Sequence, residues 1–136
     1  MRPYLPLAAT LAAALAPLSP AAAEDTCLIR VSAPYGAFDV VHVDGTITCT
    51  APFPGLSVSV CLESLKPASG SAGWVVEDCA TGFAAPGGTT ASATAYECIG
   101  GGPAIVRGTA FAVDQAGRPV SGFGPPTVVA GAQNCI

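Results

Sequence analysis

The chain has 136 residues, of which 51% are hydrophobic and only 10% charged, and its formal net charge is −4. So acidic and charge-poor a chain has no electrostatic footprint for a phosphate backbone and no basic amphipathic stretch for an anionic membrane. Nucleic-acid binding is therefore excluded, and the length leaves room for one domain.

Residues 1–23 read as a secretory signal. Arg2 supplies a positive charge, the stretch from Leu5 to Leu18 is apolar, and Ala21-Ala22-Ala23 offers small residues for cleavage ahead of Glu24-Asp25. A retained anchor is the competing reading, because about 20 apolar residues suffice to span a bilayer. Pro6, Pro17 and Pro20 and the lack of a following basic cluster favour cleavage. The remainder, 24–136, is then the folded domain of a protein secreted to the extracellular space or cell envelope. It holds four basic residues (Arg30, Lys66, Arg107, Arg118) against nine acids, a charge of about −5. No membrane contact is expected once the signal is gone.

From residue 24 onward no apolar periodicity of 3.6 is sustained. Short runs rich in Val, Ile, Thr and Phe alternate with Gly and Pro clusters, which predicts strands. The first spans about 26–32 and ends in a turn at Pro34-Tyr35-Gly36. The second spans about 38–50, with Val41, Val43, Ile47 and Cys49 on one face. Asp44-Gly45 predicts a bulge or tight hairpin within it. Pro52 to Gly55 turns. Leu56, Val58, Val60 and Leu62 then alternate with Ser57, Ser59, Cys61 and Glu63, the pattern of a half-buried strand. A loop at 66–73 leads into a strand at about 74–79, and a loop at 82–88 into another at about 89–96. Gly100 to Pro103 turns into a strand at about 104–114. After a turn at 115–119 the last strand covers about 120–130.

Seven short strands predict an all-β, antiparallel sandwich or barrel. The stretch from Arg107 to Gly117, continuing through Gly124-Pro125-Pro126-Thr127-Val128-Val129, resembles the last hairpin of fibronectin type III and related immunoglobulin-like modules. The resemblance covers mainly residues 104–130. It implies an immunoglobulin-like sandwich and no particular activity. Tyr96-Glu97-Cys98 also resembles the Tyr-x-Cys of antibody-like domains, but the interval from Trp74 to Cys98 is too short for one.

Six cysteines, Cys27, Cys49, Cys61, Cys79, Cys98 and Cys135, are an even set in an exported chain and predict a disulfide framework. No Cys-x-x-Cys pair favours zinc. Fifteen pairings are allowed. With strands running alternately up and down, Cys27 and Cys49 lie at one end, Cys98 and Cys135 at the other, and Cys61 and Cys79 on neighbouring strands. The expected bridges are Cys27–Cys49, Cys61–Cys79 and Cys98–Cys135.

Candidate chemistry is sparse. Nucleophilic catalysis needs a positioned base, and His42 is the single histidine. It reads as an oriented pair with Asp44, as a weak metal site with Asp39, or, more simply, as a histidine on the wet face of its strand. No Gly-x-Ser-x-Gly turn accompanies it. Glu77 and Asp78 point to opposite faces of a strand, with Glu63 across from Glu77 or near it, so a carboxylate pair for glycoside hydrolysis has little support. Asp39, Asp44 and Asp114 are too scattered for a calcium loop. Gly100 to Gly102 open no helix and read as a turn, not a phosphate loop.

In the strand at 104–114, Val106, Gly108, Ala110 and Ala112 make a small face, and Ile105, Thr109, Phe111 and Val113 a bulkier one. If the small face is the core, it leaves room for Trp74, and Phe111, Ile105 and Val113 form a candidate binding surface. The simpler alternative turns Phe111 into the core. No catalytic residue, metal or cofactor is expected. The leading expectation is a non-enzymatic binding or structural module for an extracellular protein or glycan. An inhibitor of a secreted hydrolase, acting through the loops Lys66–Gly73 and Gly82–Gly88, is the second. A small hydrolase using His42 or Glu77 is the third.

Overall fold

A computed structural model describes residues 26–37, 40–66, 73–131 and 135. These form nine strands: β1 (Cys27–Val31), β2 (Tyr35–Ala37), β3 (Val40–Cys49), β4 (Ser57–Leu65), β5 (Val75–Phe83), β6 (Thr90–Cys98), β7 (Ala104–Val113), β8 (Pro119–Phe123) and β9 (Thr127–Val129). There is no helix among the described residues, and every strand pairing is antiparallel. In the first sheet β3 is central, with β1 and β2 following one another along one side and β6 on the other. In the second the order is β5, β4, β7, and then β8 and β9 in succession along β7. Three strand positions thus face four in an antiparallel β-sandwich.

Strand β3 shows how the alternation builds the core. Val41, Val43, Ile47 and Cys49 are buried, while His42, Asp44 and Thr46 face outward. From the opposite sheet Leu56, Val58, Val60 and Leu62 meet them. Asp44-Gly45 makes neither bulge nor hairpin: β3 runs straight through, with Asp44 opposite Thr94 and Gly45 opposite Ala93. The glycine answers to packing instead. A Cβ on Gly45 would lie 2.9 Å from Cβ of Val60 and 3.2 Å from that of Ala110.

Other departures have equally local causes. The expected turn at Pro34-Tyr35-Gly36 holds the short strand β2. Regular pairing with β3 gives way at 32–34, where Ser32 donates its N–H to the Asp44 carbonyl and accepts the Asp44 N–H on its hydroxyl, both at 2.9 Å, and resumes at Tyr35 opposite His42. Strand β5 continues to Phe83, because β4 keeps pairing with it down to Ser57. The last expected strand is two, since Pro125 and Pro126 have no N–H to offer β7. The turn before β7 places Gly101 and Gly102 at φ of +83° and +93°, where a side chain is strained.

All three bridges join the expected partners. Cys27–Cys49 and Cys61–Cys79 each link residues directly opposite in register, with Cα separations of 4.0 and 4.1 Å. Each ties two strands within a sheet. Cys98–Cys135 ties the end of β6 to the chain beyond β9 and so joins the two sheets. The sheets also meet along their sides. The Tyr96 N–H on β6 donates to the Asp78 carboxylate at 3.0 Å, just before Gly82 of β5 passes against the Ser92 backbone. On the other side Gly122 of β8 lets Ile29 of β1 approach.

Candidate binding surface

Strand β7 positions the surface. Its small face turns inward: Val106, Ala110 and Ala112 are buried, and a Cβ on Gly108 would lie 2.8 Å from Val31 and 3.0 Å from Val43. That close approach leaves no room for an indole in the core, so Trp74 does not fill it. It also turns the bulkier face out. Phe111 and Val113 are 54% and 55% exposed and Ile105 is half-buried. The alternative of Phe111 in the core is thereby corrected: a phenyl ring on the inner face would push the sheets apart.

Register assembles the rest of this outer face. Phe111 lies between Ser59 of β4 and Ser121 of β8. Thr109 lies between Cys61 and Phe123, and Ile105 between Leu65 and Val128. Phe83 pairs with Ser57 at the far corner. Phe83 and Phe123, 72% and 67% exposed, escaped the sequence reading because nothing in their own segments says which strand they border. Exposed rings thus stand beside small hydroxyl residues, and Ser59 and Thr81 hydrogen bond to each other at 2.8 Å.

An ion pair on this face is internally neutralised. Arg107 Nε donates to Glu63 at 2.8 Å. Its guanidinium carbon lies 4.0 Å from the centre of the Trp74 ring and 4.7 Å from that of Phe123. Two aromatic faces and a carboxylate therefore fix a single cation.

At one pole of the sandwich the face runs into an apolar cleft of about 580 Å³ lined by Pro52–Leu56 and Phe83–Gly87. A smaller groove of about 340 Å³, between Phe53, Ser57, Ser59, Phe111, Val113 and Asp114, shares Phe53 and Gly55 with the cleft. The pole is held by backbone bonds from Ala84 N–H to Leu56 and from Gly88 N–H to Ala85. Of the two loops expected to act in inhibition, residues 67–72 lie outside the described residues. The other begins only after Phe83, since Gly82 belongs to β5.

The titratable candidates serve structure. His42 is half-buried on the outer face of the first sheet, stacked between Tyr35 and Tyr96, its register neighbours, at centroid distances of 5.3 and 5.5 Å. Its Nδ1 is buried with no hydrogen-bond partner. Asp44 shares that face but does not pair with it. One Asp44 oxygen accepts the Tyr35 hydroxyl at 2.9 Å and the Thr94 hydroxyl at 2.6 Å. Donation to Asp44 holds the Tyr35 pKa above its ordinary 10.0, with burial and the carboxylate charge adding to it. Asp39 lies outside the described residues.

Glu77 accepts the Ser64 hydroxyl at 2.6 Å and lies 3.7 Å from Lys66 Nζ, while Val76 and not Glu77 stands opposite Glu63. A register shift after Leu62 causes the difference. Asp114 closes the β7–β8 turn, accepting the N–H groups of Ala116 and Arg118 and the Arg118 Nε. The Arg118 N–H chiefly holds its carboxyl below the usual value of 3.8, against burial that pushes it up. No cluster of three or more His, Cys, Asp or Glu that would hold a metal occurs among the described residues.

No family model matches the chain, and no curated protein does. Among solved structures, the crystal structure of an ApaA protein from Bordetella pertussis is similar at a TM-score of 0.39 and 16% identity. The match covers 82% of this chain and 96% of that one. Nothing about this chain follows from a likeness of that degree.

Proposed function

We propose that the chain is a secreted, non-enzymatic binding module of the fibronectin type III or immunoglobulin-like kind, with the outer face of β5, β4, β7 and β8 as its contact surface. The observation that carries this reading is the juxtaposition of Phe111, Phe123, Phe83 and Val113, all more than half exposed, on one sheet face. Exposed apolar surface of that extent marks a site of association. The rigid sheet beneath it lowers the entropy lost on binding. Export is supported by three bridges that leave no free cysteine and by the leader-like segment 1–23. A non-catalytic role is supported by the carboxylates Glu63, Glu77, Asp78 and Asp114, each held in a structural contact.

The partner is an extracellular protein or glycan. Affinity capture from the medium of the producing cell, with glycan arrays in parallel, tests the reading. Wild type and a Tyr96→Lys variant retain the captured component, and Phe111→Lys loses it. Equal capture by all three removes the surface from consideration.

A further inference from the structure

We propose that the outer face of the second sheet is a self-association surface, and that its occupant is a second copy of this chain. The inference rests on the reading of that face as the contact surface and deepens it by naming a partner.

The chain carries −4 overall, yet the charges met on this face and in its groove are paired among the described residues: Arg107 bonds Glu63 at 2.8 Å, and Asp114, which lines the groove, bonds Arg118 at 3.1 Å. Two acidic molecules repel each other over most orientations. They approach without that cost where each is locally neutral. A face with no net charge offers nothing to select a strongly charged partner, whereas a copy of itself matches it by identity.

A two-fold contact needs a projection and a recess side by side, because each copy must supply both. Phe111 projects from β7 and is also a wall of the groove of about 340 Å³ that it shares with Ser57, Ser59 and Val113. Rotation about an axis beside Phe111 seats each ring in the other copy's groove. Two sheets of one twist pack face to face with their strands about 30° apart.

The length of β7, at about 3.3 Å per residue, and four strand positions about 4.8 Å apart give a footprint of about 600 Å² per copy. The total of about 1,200 Å² reaches the lower limit of a specific interface. A reversible dimer is expected, not an obligate one.

Sedimentation equilibrium of the disulfide-intact chain across a concentration series decides the matter. Wild type and Tyr96→Lys, which places the same charge on the opposite sheet, show one concentration-dependent monomer–dimer equilibrium. Phe111→Lys, at an outward position, keeps the wild-type circular dichroism and weakens association about thirtyfold or more, as loss of a buried aromatic anchor does. A wild type that stays monomeric up to about millimolar concentration overturns the proposal, as does a dimer indifferent to Phe111→Lys or broken by Tyr96→Lys. If wild type is monomeric while capture of an extracellular component still depends on Phe111, the dimer falls and the binding module stands. If both readouts ignore Phe111, both fall.

Discussion

The Arg107 guanidinium carbon sits 4.0 Å above the ring centre of Trp74, and Glu63 binds the same group from the side at 2.8 Å. Because Trp74 is the single tryptophan, fluorescence excited selectively at tryptophan reports on this contact. Arg107→Ala removes two cation–π contacts, with Trp74 and Phe123, and a half-buried ion pair together. It is expected to shift the emission maximum and lower stability by about 1–2 kcal/mol in urea unfolding, while Glu63→Gln costs less.

The close approach of the sheets makes two glycines intolerant of a methyl group. Gly45→Ala places a Cβ against Val60 and Ala110, and Gly108→Ala places one against Val31 and Val43. Each is expected to destabilise by about 1–3 kcal/mol, the range for overpacked cores. Thermal unfolding checks both. Their effects are less than additive if the first substitution already separates the sheets.

Asp114 gives stability an acid limb. Its folded pKa lies below the ordinary 3.8, so the unfolded chain takes up the proton first. The contribution is complete above about 4 and is lost as the pH falls through the lower folded value. Urea unfolding as a function of pH is expected to show this decline. Asp114→Asn flattens it and lowers stability at neutral pH.

Tyr35 gives an alkaline limb of opposite sign. Its folded pKa is raised above 10.0, first by donation to Asp44. The contribution of the neutral hydroxyl is therefore complete below 10 and lost as the pH rises through the raised value. Ultraviolet titration of phenolate absorbance is expected to show a late-ionising component that Tyr35→Phe removes and Asp44→Asn returns toward the ordinary range.

The three bridges differ in what they connect. Cys98–Cys135 spans 37 residues and joins the sheets, whereas Cys61–Cys79 spans 18 within one hairpin. Loop-closure entropy assigns about 4 and about 3 kcal/mol to them. Paired Cys→Ser replacement at 98 and 135 is expected to cost more stability in urea unfolding than replacement at 61 and 79.

Much of the scaffold was legible because period-two alternation is local. Val41 to Cys49 and Leu56 to Leu62 declare their inner faces unaided, and the resulting strand order was enough to pair the cysteines. What escaped depends on register. The Tyr35–His42–Tyr96 stack and the Trp74–Arg107–Phe123 clamp join residues far apart in sequence, and no segment names its cross-strand neighbour. Asp44-Gly45 was misread because glycine answers two demands, a turn and a close approach, with the same residue. Phe111 stayed ambiguous for a related reason: which face of β7 turns inward is decided by the bulk of β1 and β3 opposite, not by β7.

The meeting of β5 with β6, and of β1 with β8, bears on how such a chain survives at high concentration. Exposed strand margins invite other chains to extend a sheet, and soluble β proteins usually deter this with lysines. This chain has a single lysine among 136 residues. Here Gly82 against the Ser92 backbone and Gly122 against Ile29 bring the β5 and β8 margins of one sheet onto the β6 and β1 margins of the other, so along these strands geometry guards against fibril growth where charge does not.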